Sequence, residues 1–251
     1  MNQQFTIPSC RTIWGAAARP ISFSYPTTST SIPGADTECL AVGAAKNLVL
    51  FSRPPSGEWI SNTALHTDSD ILSSDWLSPT VVALGRRNGT IKLYDTRSKG
   101  SSTVCRLSFP VLRLKRADDP TRLVCVGANE DIVSCDIRFG TESPVTNIFH
   151  QIGRVSAPST YHIPLGNLKK VTNNGNVSQL HIDTNARLSL LAASLVSDDG
   201  TPVIRVYNMW TGAMVKEVVP KHIQHSISFV KFVGTEIWAV WNGGIVQIGY
   251  S

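Results

Sequence analysis

Three short apolar runs each end on a glycine, and the glycines stand at positions 43, 85 and 127, 42 residues apart each time. The runs are Leu40-Ala41-Val42-Gly43, Val82-Ala83-Leu84-Gly85 and Val124-Cys125-Val126-Gly127. A polar turn follows each: Ala45-Lys46-Asn47, Arg86-Arg87-Asn88-Gly89 and Asn129-Glu130-Asp131. A second apolar run comes next, over 48–51, 91–94 and 132–135. The repeated unit is therefore strand, tight turn, strand. Asn88-Gly89 predicts a hairpin with positive φ at both turn positions. The repeat glycines mark a place where a Cβ is unwelcome, expected at a strand end beside the turn.

Two further units fit more loosely. In one, 190–194 is an apolar strand, Asp198-Asp199-Gly200 a turn, 204–208 the next strand, and Trp210-Thr211-Gly212 opens the strand after it. In the other, 237–240 and 245–248 flank Asn242-Gly243-Gly244, with Trp241 in the place of the repeat glycine. A further strand is expected ahead of each unit, over 12–16, 71–76, 111–114, 177–182 and 227–232. A period of roughly 40–45 residues holding about four strands is the signature of a WD40-type blade. The expected fold is all-β, a WD40-type β-propeller of about five blades, either a small ring or a seven-bladed ring short of blades. The 251 residues make one domain, 1–251, with irregular insertions at 20–35 and 143–176. The segment 4–7 is expected to complete the last blade. Charged residues are only 16% of the chain, as strands covered on both faces require.

Several function classes are excluded at this level. The net charge of +5 is scattered, with short clusters at Arg86-Arg87 and Arg113-Lys115-Arg116. A nucleic-acid surface concentrates its charge, so none is expected. No run reaches the ~18 apolar residues of a membrane helix, and Met1-Asn2-Gln3-Gln4 has no charged region followed by an apolar run, so no secretory leader is expected. The five cysteines have no metal-type spacing and are expected reduced, in the nucleus or cytoplasm. Phosphate loops, GxSxG and HExxH are absent from the sequence. His222 and His225 fall in an expected loop, not on a helix. His66 and His150 precede strands, where a structural role is expected, and Asp68, Asp70 and Asp75 suit turn hydrogen bonds. No metal, no cofactor and no enzymatic activity are expected.

The remaining chemistry is Tyr94-Asp95-Thr96-Arg97 and Cys135-Asp136-Ile137-Arg138, at the ends of equivalent strands. A strand from 91 to 95 spans about 17 Å at ~3.3 Å per residue. Arg97 and Arg138 should thus lie opposite the Asn88-Gly89 turn. Each offers a planar fork of donors to a partner; alternatively, Asp95 and Asp136 cap local turns and the arginines are solvated.

The doubled Asp-x-Arg resembles the WDxR box of WD40 substrate receptors of the cullin-4 RING ubiquitin ligase. The order of elements is similar to the family of cullin-4-associated factor 4: Phe5-Thr6-Ile7-Pro8, then Ser69-Asp70-Ile71-Leu72, then the hairpin from Gly85 through Arg87, Gly89 and Ile91, then Asp95 and Arg97, and finally Tyr250-Ser251. The resemblance implies a non-enzymatic scaffold. Arg97 and Arg138 would dock on the ligase's propeller adaptor, with Asp95 and Asp136 orienting the turns. It leaves Arg86, Arg87, Asn129, Glu130, Asp198 and Asp199 as a candidate face for a substrate. Tyr94 and Cys135 replace the Trp of the box, and family members carry further blades upstream. The alternative is a WD40 scaffold of another nuclear or cytoplasmic complex, in chromatin or RNA processing.

Overall fold

A computed structural model describes residues 13–19, 38–54, 57–117, 121–127, 132–137, 160–163, 181–196, 201–220, 227–241 and 244–248. They form five sheets in which strands consecutive in the chain are hydrogen-bonded neighbours. The first holds β1 (Ile13–Ala18), β2 (Glu38–Ala44), β3 (Asn47–Arg53) and β4 (Ile60–His66). The second holds β5 (Ile71–Ser78), β6 (Val81–Arg86), β7 (Thr90–Asp95) and β8 (Gly100–Arg106). The third holds β9 (Val111–Arg116), β10 (Arg122–Gly127), β11 (Ile132–Asp136) and β12 (Thr160–Ile163). The fourth holds β13 (Ile182–Asn185), β14 (Leu190–Val196), β15 (Pro202–Asn208) and β16 (Met214–Val218). The fifth holds β17 (Ile227–Val233), β18 (Glu236–Trp241) and β19 (Gly244–Ile248). The chain divides into two compact units, Met1–Leu114 and Lys115–Ser251.

In the first unit the cores lie between sheets. Ala17, Ala41, Leu48, Ile71, Trp76, Val82, Leu84 and Tyr94 form one cluster drawn from the first two sheets. The Trp76 indole donates to the carbonyl of Ala17 at 3.0 Å, so its one polar group is satisfied inside the core. Two of the three repeat glycines, Gly43 and Gly85, are explained here by close approach across sheets. A Cβ on Gly43 would sit 2.7 Å from Ile71 Cγ2 and 3.0 Å from the Ile71 carbonyl; one on Gly85 would sit 2.6 Å from Val111 Cγ1 and would also strike Ser73 Oγ. Each glycine is thus where the first strand of the next sheet presses on the middle of its own. At these two positions the repeat glycine is the room left for the first strand of the following sheet.

The second unit repeats the logic. Along β14, Leu191 and Ala193 join the cluster containing Val124, Val126, Ile132, Ile182 and Tyr207. Leu190 and Ala192 point the other way, into the cluster with Ile204, Val206, Ile227, Val230 and Phe232. Successive side chains alternate faces, and both faces are covered, which is why 190–194 reads as a continuous apolar run. Across these strands Asp183, buried, accepts the Phe232 N–H at 2.9 Å and pairs with Lys115 at 3.4 Å and Lys231 at 3.3 Å.

Several sequence expectations are corrected. The Asn88-Gly89 turn has positive φ only at Gly89 (+81°). The Gly89 N–H donates to the Arg86 carbonyl at 3.1 Å, so Arg87 and Asn88 are the turn's centre and Gly89 is the left-handed residue after it. Within the expected insertion 143–176, Thr160–Ile163 is a strand paired with β11. Of the strand expected over 177–182, residues 177–180 lie outside the described residues, and β13 holds Ile182; β16 begins at Met214, so Trp210 lies in a turn. Trp241 does not occupy the glycine's place. It pairs with Ile227 as Arg86 pairs with Ile71, and Val240 pairs with Phe229 as Gly85 pairs with Ser73. The segments 4–7 and 20–35, together with Cys10, His150, His222 and His225, lie outside the described residues.

Candidate protein-docking elements

The second sheet has two polar ends, each built on arginine–aspartate pairs but differing in burial. At the hairpin end, Arg86 is buried at 2% exposure. Its Nη1 donates to Thr90 Oγ1 at 2.8 Å, and its Nη2 pairs with Asp68. Thr90 donates its hydroxyl to Asn88 Oδ1 at 2.7 Å, which in turn accepts the Thr90 N–H at 3.2 Å. Arg87 stays half-exposed, with Nε on Asp70 Oδ2 at 2.9 Å and its N–H on the Asp70 carbonyl. Asn88 N–H donates to Ser69 Oγ at 3.2 Å. The 68–70 segment therefore clamps the hairpin, the turn role its acidic residues suggested. The Asp68 carboxyl is held below its ordinary value, first by its own backbone N–H and then by Arg86.

This geometry corrects one member of the candidate substrate face. Arg86 does not offer its guanidinium to a partner, because a buried cation is tied to internal acceptors that replace its lost water. Arg87 remains accessible. Asn129, Glu130, Asp198 and Asp199 lie outside the described residues.

At the other end, Asp95 closes β7 and folds the chain back on itself. The Arg97 N–H donates to Asp95 Oδ1 at 2.9 Å, Arg97 Nε to Oδ1 at 3.3 Å, and Nη2 to Oδ2 at 3.0 Å. The carboxylate thus holds both the backbone and the fork of the residue two positions on, as an Asx turn with a bidentate partner. Arg97 is nonetheless 72% exposed. Its side chain, followed by its N–H, pulls the Asp95 carboxyl below its ordinary value, and Asp95 raises Arg97 in return. Beside it Tyr94 fills the core where the resembling box has Trp, and burial, reinforced by Asp95, pushes its phenol up.

The same turn recurs. Val81 pairs with Asp95, Arg122 with Asp136, and Leu190 with Asn208. In each sheet the next N–H donates to the carbonyl before the facing strand: Thr96 to Thr80 at 2.8 Å, Ile137 to Thr121 at 2.8 Å, and Met209 to Ser189 at 2.9 Å. Tyr94, Cys135 and Tyr207 stand buried at the preceding position. Arg138 lies outside the described residues. The third copy, Asn208-Met209-Trp210, has neither Asp nor Arg, so the sequence marks it only through the aromatic-polar pair Tyr207-Asn208 ahead of the Thr211-Gly212 turn, the counterpart of Tyr94-Asp95. In this copy Asn208 Oδ1 accepts the Trp210 N–H at 2.8 Å and the Thr211 N–H at 3.0 Å.

Among the described residues no three His, Cys, Asp or Glu side chains converge as a metal would require. None of the described cysteines is disulfide-bonded; Cys125 and Cys135 are buried, and Cys39 and Cys105 are half-buried. His66, at the edge of the first sheet, bonds Asn47 Oδ1 at 2.8 Å.

No protein-family model matches the chain, and no curated protein does. Solved structures do. A chain in a structure described as "Crystal Structure of Mitotic Checkpoint Complex" is similar at a TM-score of 0.54 and 16% identity, over 80% of this chain and 54% of that one. The chain thus spans about half the length of that solved chain. At this identity the likeness speaks for architecture alone. The sheet order, the repeat and this likeness agree: the chain is all-β and has the WD40-type β-propeller fold.

Proposed function

We propose that the chain is a non-enzymatic protein-interaction scaffold, a WD40 substrate receptor that docks on the adaptor of a cullin-4 RING ubiquitin ligase through its Asp-x-Arg elements. The observation that carries this reading is Arg97. Its guanidinium is exposed yet held on Asp95 through Nε and Nη2, which leaves the Nη1 hydrogens and one Nη2 hydrogen for a partner. A fork already oriented loses less freedom on binding than a solvated arginine. Asp136, with Arg138 two residues on, supplies the second element. Arg87, with Asn129, Glu130, Asp198 and Asp199, is the face proposed for a substrate. The resemblance to the cullin-4-associated factor 4 family selects the ligase adaptor from among protein partners.

The test is capture of the purified adaptor by the wild-type chain and by the Arg97→Ala, Arg138→Ala double variant. Hot-spot arginines are worth about 2 kcal/mol or more each, so the double variant loses most binding. Unchanged capture sinks the ligase reading. The second reading is a scaffold of another nuclear or cytoplasmic assembly, in chromatin or RNA processing. It is favoured by the likeness to a chain solved within a multiprotein complex, and it predicts partners that the double variant retains.

A further inference from the structure

Within the unit Lys115–Ser251, three consecutive sheets bring two ammonium groups onto one buried carboxylate. Lys115 stands near the end of β9, Asp183 in β13 and Lys231 in β17, so each comes from the first strand of its sheet. The Asp183 side chain is 4% exposed, and its Oδ2 accepts the Phe232 N–H at 2.9 Å. Lys115 Nζ lies 3.4 Å from Oδ1; Lys231 Nζ lies 3.4 Å from Oδ1 and 3.3 Å from Oδ2. The next two side chains of β13 fix this arrangement. Thr184 Oγ1 donates to the Arg116 carbonyl, beside Lys115, at 2.6 Å, and Asn185 Nδ2 donates to the Gly234 carbonyl, just past β17, at 2.7 Å. The strands that carry the two lysines are thus each tied to β13.

The charges do not balance. Two ammonium groups meet one carboxylate, and among the described residues no other acid pairs with either lysine. The pairs are also long, since a charge-assisted N–H···O⁻ bond runs to about 2.7–2.9 Å. Each ammonium has three donors, so donors remain once Asp183 is served. Both Nζ atoms lie 3.4 Å from the same Oδ1 and so at most twice that distance apart. One oxyanion bridges such a gap with two bonds of ordinary length. Solvent reaches both groups, for the side chains of Lys115 and Lys231 are 31% and 49% exposed. On the open face of β17, Lys231 stands between Phe229 and Val233, which are exposed as well.

We propose that Lys115 and Lys231 form a binding site for a carboxylate, the glutamate side chain of an acidic peptide segment on a protein partner. One added carboxylate balances the surplus charge, whereas a phosphate monoester, at about −1.5 to −2, overshoots it. Phe229 and Val233 offer apolar flanks to the methylene stem of a glutamate, which a bare inorganic anion lacks. Asp183 is the positioning residue: it gathers the two ammonium groups and does not touch the ligand. Groups gathered beforehand lose less freedom when the ligand arrives. The site lies wholly within 115–251 and does not rest on the ligase reading.

The experiment titrates the full chain with a short capped oligoglutamate peptide at fixed ionic strength and follows the lysine side-chain NMR signals. The oligoglutamine counterpart and inorganic phosphate are the comparison probes. The variants are Lys115→Gln, Lys231→Gln and, to control for overall charge, Lys216→Gln on the outer strand β16. Each of the first two leaves Asp183 one lysine and the Phe232 N–H, and circular dichroism confirms that each variant is folded. The expected result is that the Lys115 and Lys231 signals move together on one saturating curve with oligoglutamate, stay still with oligoglutamine, and respond more weakly to phosphate. Lys115→Gln and Lys231→Gln should each weaken binding about fivefold, the upper range for a solvent-accessible charge pair, while Lys216→Gln leaves it unchanged. A response to oligoglutamate that never saturates overturns the inference. Equal losses in all three variants overturn it too, because they mark attraction to net charge and not to a site. Full binding by both Lys115→Gln and Lys231→Gln places the peptide elsewhere and is equally fatal, and tighter binding of phosphate than of oligoglutamate overturns the choice of a carboxylate.

Discussion

Arg86 and Arg97 stand at opposite ends of the second sheet, one just before its hairpin and one just past its closing turn. Both are arginines next to an aspartate, and both looked like surface charges. Arg86 is 2% exposed and Arg97 is 72% exposed. The difference lies in where the acceptors come from. Arg86 finds Thr90 across its own hairpin and Asp68 from the preceding loop, so its charge is consumed in fastening that loop to the sheet. Arg97 finds Asp95 two residues earlier, a purely local partner that aims the side chain without burying it. A cation tied across elements becomes architecture, whereas one tied within its own turn stays available.

The sharpest way to break this comparison is to disturb the packing that buries the hairpin end. Gly85→Val should destabilise the fold by about 3 kcal/mol, because the new side chain meets Val111 and Ser73; urea unfolding measures it, and a neutral result would remove the packing account of the repeat. Next, Gly89→Ala should cost about 2 kcal/mol, since it combines a φ of +81° with a Cβ directed at the Leu107 carbonyl. Arg86→Met should cost about 1–2 kcal/mol by leaving Thr90 short of a donor and the 68–70 segment loose. At the opposite end Arg97→Ala should leave the melting midpoint unchanged, as expected of an exposed pair, while adaptor capture falls.

The smallest effect is electrostatic. In the folded chain Asp95 titrates below the ordinary value of about 3.9. A depressed carboxyl stabilises the fold above its unfolded value, and that stabilisation is lost as pH falls through the folded one. Carboxyl NMR titration should therefore find Asp95 low in the wild type and returned toward normal in Arg97→Ala. An Asp95 that titrates normally in both would break the picture of a preset fork.

Much of the architecture was legible because propeller strands are covered on both faces and read as short apolar runs. The alternation of Leu190, Leu191, Ala192 and Ala193 between two cores is invisible in sequence, but its sum, an unbroken apolar segment, is not. Asp95-x-Arg97 was legible because an Asx turn is local. Arg122 was not. A basic residue opening a strand reads as solvated, and only the register places it beneath Trp210 and against the Met209 carbonyl, 87 residues away. The turn at Asn208 is only weakly marked in sequence for a related reason, since the geometry it shares with the Asp95 turn is carried by backbone bonds that any residue can make.

The sequence by itself determined the repeat, and with it the strand-turn-strand unit, the all-β class and the positions of the Asp-x-Arg turns, because these depend on periodicity and on contacts a few residues long. Tertiary structure alone decided what each recurring piece of the repeat is for. Gly43 and Gly85 proved to be spaces left for Ile71 and Val111, and Arg86 a buried tie. The physical reason is that burial, close approach and hydrogen-bond partnership across sheets belong to pairs of residues far apart in the chain, and no short stretch of sequence holds both members.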